Sequence, residues 1–187
     1  LPDPFAVESG LTVTAAPLPG FAKTFADSSA TLGATTTLSF AIDNSSALIE
    51  ASALDFTDVL PVGMVVASTP NAMTTCSGGT LTAVAGSSTI SYTGGTVAAA
   101  NSCGLSVDVT ANSSGTLVNT TGDLTSSLGN SGTATANLKV PTLSFDSPLA
   151  SDDIVNAVEA PVAAISGTTT LIENGQSVAV TVTDSAS

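Results

Sequence analysis

The sequence predicts an all-β fold, an immunoglobulin-like sandwich of short strands, on three observations. Apolar residues recur at every second position over short runs, which puts one face of an extended strand in a core. Clusters of Gly, Asn, Asp and Ser separate the runs and supply turns. The hydrophobic fraction, 43% of 187 residues, is mostly Ala, Val, Leu and Ile, with aromatics at 4% and no Trp, a mixture that suits strands over long helices.

The stretch Thr36–Pro61 shows the pattern most clearly. Leu38, Phe40 and Ile42 alternate with Thr37, Ser39, Ala41 and Asp43. Asp43-Asn44-Ser45-Ser46 then offers side chains that bond their own backbone in turns. Leu54 and Phe56 follow on one face, with Asp55 and Thr57 on the other.

Taken in order, residues 1–19 open with two prolines that favour extended backbone. Leu11, Val13 and Ala15 alternate with Thr12 and Thr14, enough for one strand, which Pro17-Leu18-Pro19-Gly20 breaks off. That strand has no hairpin partner nearby and reads as an edge strand, a linker or a strand donated to another molecule. Strands are then expected at Phe21–Phe25, Thr36–Asp43, Ala53–Leu60, Met64–Ala67, Thr80–Val84 and Thr89–Thr93. Further strands are expected around Leu105, Val107 and Val109, at Gly115–Thr121 and at Thr133–Val140. The turns between them include Gly78-Gly79, Ala85-Gly86-Ser87, Gly94-Gly95 and Gly129-Asn130-Ser131-Gly132. Short strands at this spacing make a sandwich.

Charge excludes whole classes of partner. Lys23 and Lys139 are the basic side chains, against fifteen carboxylates, for a formal net charge of −13. Phosphate binding needs clustered Lys and Arg, so neither nucleic acid nor an anionic bilayer is an expected partner. Mean hydropathy is +0.45, yet no apolar run reaches the length of a spanning helix, and direct membrane insertion is not expected. Without an initial Met or a signal peptide, the chain reads as a mature form or an excised piece.

Three segments carry a resemblance. FAKTFADSSATLGATTTLSFAIDN, DFTDVLPVGMVVASTPNAMTTC and GGTVAAANSCGLSVDVTANSSGTLVNTTG together resemble bacterial extracellular Ig-like repeats related to the domain DUF11. The resemblance covers about residues 20–140, and DFTDVLPVG, the paired cysteines and GNSGTATANLKV are its most specific parts. It implies an extracellular structural spacer with no catalytic residues. Residues 141–187 resemble the opening of the Ig-like repeats of giant bacterial adhesins. The matching residues are Asp152, Asp153, Asn156 and Glu159, then Glu173-Asn174-Gly175-Gln176, then Val178, Val180 and Val182. The organisation expected is therefore an extended segment (1–19), an Ig-like sandwich (20–140) and an incomplete second Ig-like module (141–187). A half-module exposes an apolar strand face, which a neighbouring chain would cover. Leu11 and Val13 at one end and Val178, Val180 and Val182 at the other are the candidate assembly residues.

Cys76 and Cys103 read as a disulfide, since an even cysteine count in a secreted β-domain is a staple. No His and no CxxC spacing supports a metal or redox thiol pair. Asp146, Asp152, Asp153, Asn156 and Glu159 are the candidate calcium ligands, because calcium takes several oxygens from flexible carboxylates. Calcium is the one cofactor considered, and Asp152-Asp153 as a cap on a short helical turn is the alternative. Asp43, Asp55 and Asp58 form a weaker cluster, expected to be solvated strand and turn residues. Lys23 in a first strand and Asn137 in a last strand are a candidate isopeptide pair, a bond that needs an uncharged amine in an apolar site and a carboxyl proton shuttle. The plainer reading, an exposed Lys23 that keeps an edge strand from pairing, is preferred. Asn44, Asn112 and Asn119 head N-glycosylation patterns of the kind expected by chance in a Ser/Thr-rich chain.

A chain without His has no Ser-His triad, and no GxSxG, HExxH or phosphate loop is present. The expected function is therefore non-enzymatic. The chain reads as a structural subunit or repeat of a bacterial cell-surface assembly (a filament, sheath or adhesin stalk), associating head to tail with copies of itself or adjacent repeats. A glycan-binding adhesin module is the alternative, weakened by the scarcity of aromatics.

Overall fold

The computed structural model describes residues 15–147 and 166–172. In chain order the strands are β1 (Gly20–Phe25), β2 (Thr35–Asp43), β3 (Ala51–Val59), β4 (Met64–Val66), β5 (Met73–Thr74), β6 (Ser77–Ala83), β7 (Thr89–Val97), β8 (Ser102–Ala111), β9 (Gly115–Thr120), β10 (Thr125–Ser126), β11 (Gly129–Asn130), β12 (Thr135–Val140), β13 (Thr142–Phe145) and β14 (Gly167–Thr170). No helix among the described residues is long and apolar enough to cross a membrane.

Two antiparallel sheets form the sandwich. One runs β1-β2-β8-β4, with β5 also paired to β8, and the other runs β11-β10-β3-β7-β6. The register of the first follows from alternation: Leu38 faces Val107, Phe40 faces Leu105 and Ile42 faces Cys103, all buried. Shifting β2 by one residue would turn its apolar set to solvent. Leu54, Phe56, Ile90 and Tyr92 supply the opposite layer. The Phe56 ring packs 5.0 Å from Phe40, 5.1 Å from Phe21 and 6.1 Å from Tyr92, centroid to centroid. Each fully buried large side chain contributes roughly 1.5–3 kcal/mol.

The hairpin of β9 and β12 lies outside both sheets and closes one side of the sandwich. Lys139 accepts from the Ala30 amide and donates its own amide to Ser28, a parallel bridge beyond the end of β1. On the other side, Thr121 bridges to Asp58 and the Gly122 amide donates to Thr57 of β3.

Three expected turns are strand in whole or in part, Gly129-Asn130 as β11 and two doubled glycines inside longer strands. Gly78-Gly79 lies inside β6 and Gly94-Gly95 inside β7, with Gly78 paired to Gly95. The reason is Tyr92: a Cβ on Gly95 would run into its phenol, and one on Gly79 would sit 2.7 Å from Tyr92 Oη. The glycines let the backbone pass over the ring, and β3 shifts register against β7 between Leu54 and Phe56, as at a bulge. Ala85-Gly86-Ser87 does turn the chain, with the Ser87 amide bonded to Val84.

At the ends, Ala15–Pro19 is not strand, and Leu11, Val13, Val178, Val180 and Val182 lie outside the described residues. Strand β13 pairs with β14, Leu143 opposite Thr169.

Candidate functional site: a buried lysine, aspartate and asparagine

Alternation places three polar side chains in the core. On β1, Lys23 has the parity of Phe21 and Phe25. On β3, Asp58 continues the face of Leu54 and Phe56. On β9, Asn119 shares the face of Leu117. Lys23 and Asp58 side chains are each 0% exposed, and Asn119 is likewise 0% exposed. The three come from one sheet, the other sheet and the closing hairpin.

Their geometry is close. Lys23 Nζ donates to both Asp58 carboxylate oxygens at 2.7 Å, and Asn119 Nδ2 donates to Asp58 Oδ2 at 3.1 Å. The amine also lies 5.4 Å from the centroid of the Phe40 ring. Asn119 Oδ1 is buried without a hydrogen-bond partner. Burial pushes the Lys23 ammonium below the ordinary lysine pKa, while the hydrogen bond and charge of Asp58 pull it back up. A desolvated ion pair gains most when every remaining donor and acceptor is satisfied, and here one acceptor is not.

These positions correct three expectations. Lys23 is on an edge strand but points inward, so it is not an exposed guard. Asp58 is core and not solvated, unlike Asp43, which is exposed and accepts from the Ser45 amide. Asn137 pairs with Val118 on the outward face of β12, so the amide beside Lys23 belongs to Asn119. Burial also removes Asn44 and Asn119 from the glycosylation candidates.

The model of the family DUF7933, a domain of unknown function, matches residues 19–140. This chain belongs to the DUF7933 family. The match covers the sandwich and stops where β12 ends. No curated protein matches the chain. Among solved structures it is similar to the collagen adhesin (CNA) of S. aureus, at 11% identity and TM-score 0.47, covering 80% of this chain. The chain spans 50% of that adhesin's length. It is also similar to the full-length major pilin SpaD of Corynebacterium diphtheriae, at 13% identity and TM-score 0.48, covering 72% of this chain and 39% of the pilin. A third is BslA, a bacterial hydrophobin, at 17% identity and TM-score 0.44, covering 67% of this chain and 95% of that one.

In this DUF7933 domain Cys76 and Cys103 form a disulfide across 27 residues. Cys103 is on β8, and Cys76 sits where the chain leaves β5 of the first sheet for β6 of the second, so the bridge pins a crossing between layers. Of the expected calcium ligands, Asp146 accepts from the Ser166 hydroxyl at 2.7 Å. Asp152, Asp153, Asn156 and Glu159 lie outside the described residues. Among the described residues no carboxylate or thiol cluster has the make-up of a metal site.

Proposed function

We propose that this DUF7933 domain is a non-enzymatic structural module of a bacterial cell-surface assembly, a filament, sheath or adhesin stalk, which joins copies of itself or adjacent repeats through its terminal segments. The observation that carries the reading is how the sandwich is fastened. A disulfide pins the crossing between sheets, and a buried ion pair links β1 to β3. The side chains with most chemistry to offer are thus engaged in holding layers together. A disulfide also suits an oxidising, extracellular setting. The adhesin-like sequence motif of residues 141–187, with Val178, Val180 and Val182 at alternating positions, supports association with a neighbouring copy or repeat, and Asp146, Asp152, Asp153, Asn156 and Glu159 are the residues proposed to hold calcium at that junction. Tyr92, fully buried, offers no face to a sugar, which weighs against the glycan-binding alternative.

Electron microscopy of the isolated chain, with and without a calcium chelator, tests this. Regular filaments that fall apart on chelation are the expected result. Dispersed monomer-sized particles in both conditions would overturn self-association and leave a spacer repeat.

A further inference from the structure

The Lys23, Asp58 and Asn119 cluster has the parts of a reaction as well as those of an ion pair. We propose that Lys23 Nζ and Asn119 Cγ join in an intramolecular isopeptide bond, with Asp58 moving the protons. Three observations carry it. An amine and a carboxamide meet on one carboxylate, sharing its Oδ2. All three groups are shut off from water, so the amine can be neutral by passing its proton to Asp58, and no solvent competes as nucleophile. The carboxamide oxygen has no partner, so no hydrogen bond at the carbonyl end has to be broken before it is polarised, and the one bond that holds the amide, from Nδ2, runs to Asp58 itself.

The step balances without any co-reactant. Lys23 gives one proton to Asp58, leaving a neutral amine beside a neutral carboxylic acid. A half-turn of the Asn119 amide, a rearrangement between near-isosteric ends, brings Oδ1 to the Asp58 hydroxyl, which polarises the carbonyl. The Nζ lone pair attacks Cγ, and the C–N bond to Nδ2 breaks. Asp58 relays a proton from Nζ to the leaving nitrogen, which departs as ammonia. The product is a secondary amide between β1 and β9, and Asp58 keeps the proton it first took from Lys23, ending as a neutral carboxylic acid unless ammonia carries that proton away as ammonium. Substitution at an amide by an activated amine is ordinary nucleophilic chemistry once geometry and proton transfer are supplied.

Another buried amide provides a contrast within the same fold. Asn44 is 1% exposed and also has an unpartnered Oδ1. Its Nδ2 donates to the backbone carbonyls of Ile49 and Ala98. The other lysine, Lys139, lies exposed on β12. An orphan oxygen alone is a packing defect; beside an amine and an acid it marks a reaction centre.

Intact mass spectrometry and trypsin digestion of the denatured, reduced chain test the proposal together. The bond lowers the mass by one ammonia relative to the sequence. Because Lys23 and Lys139 are the tryptic sites of this chain, an unmodified chain yields 1–23, 24–139 and 140–187. A Lys23 whose amine is acylated resists cleavage, so 1–23 and 24–139 stay together. The full sequence mass with cleavage after Lys23 overturns the proposal. So does an ammonia loss with Lys23 still cut, since the loss then lies elsewhere. These readouts use the unaltered chain and do not depend on any variant folding. Asn119→Ala is expected to restore full mass and cleavage, and Asn137→Ala to leave the cross-link intact; the reverse pattern would assign the wrong amide. Asp58→Asn is expected to abolish the bond, and a cross-link formed without that carboxylate would overturn its role.

Discussion

Tyr92 is the one tyrosine of a chain that has no Trp, so its phenol can be followed by absorbance without interference. Its hydroxyl donates to the Gly78 carbonyl at 3.0 Å, and its ring is wholly buried. Burial pushes its pKa above the ordinary 10.0, and a hydrogen bond with the Thr74 side chain offsets part of the rise. A pKa raised by folding makes a contribution to stability that is whole below about 10 and is lost as pH climbs through the folded value. The phenolate absorbance should therefore rise above the ordinary pH in the native protein and fall back to about 10 in denaturant. A native midpoint at or below the denatured one would contradict the buried placement. At this scale the sequence held more than composition suggests. The parity that turned Phe21, Phe25, Leu54, Phe56 and Leu117 toward the core also put Lys23, Asp58 and Asn119 in it. Reading polar residues as solvated by default hid the cluster. What parity could not supply is that three strands distant in sequence converge there.

At the scale of the element, β6 and β7 show why doubled glycines misled the reading as turns. Gly94 adopts a left-handed backbone with φ of 73° and open space around it. At Gly95 the space is already filled by the Tyr92 ring. The two positions should then respond differently to the same methyl group. Gly94→Ala meets only the left-handed backbone penalty, about 1 kcal/mol. Gly95→Ala has to displace a packed aromatic ring, with an expected loss of about 3 kcal/mol. Urea midpoints of the two variants compare them directly, and an equal loss would mean that Tyr92 does not set the geometry of β7. The short strands β5, β10 and β11 could not be read at all. Two-residue strands such as Met73–Thr74 have no periodicity to detect, and tertiary pairing alone, here with Leu105 and Ser106 of β8, makes them strands.

For the whole molecule, the sandwich was legible because its sheets obey a simple two-residue repeat and its turns are chemically marked. The closing role of the β9–β12 hairpin was not, because it depends on backbone bonds to Ser28, Ala30 and Thr57 that no local pattern announces. The disulfide, by contrast, followed from cysteine count. A closed loop of 27 residues corresponds to about 3–4 kcal/mol in the chain-entropy model. Reduction, or the double substitution Cys76→Ser with Cys103→Ser, should lower the unfolding free energy by that order in guanidinium titrations. Loss of well under about 1 kcal/mol would show that the reduced chain is restrained by other means.

The bridge between Ser29 and Lys139 is parallel, and this arrangement sets how the domain meets traction. When a pull on the entering and leaving ends of the sandwich draws apart two segments that run the same way, it slides one along the other. Their hydrogen bonds are then strained together, in shear, instead of opening one after another like a zip. A covalent link from Lys23 to Asn119 would route the tension from β1 into β9 and leave everything between them in the chain, most of both sheets, slack. A domain wired in that manner would behave less as a spring than as a rivet.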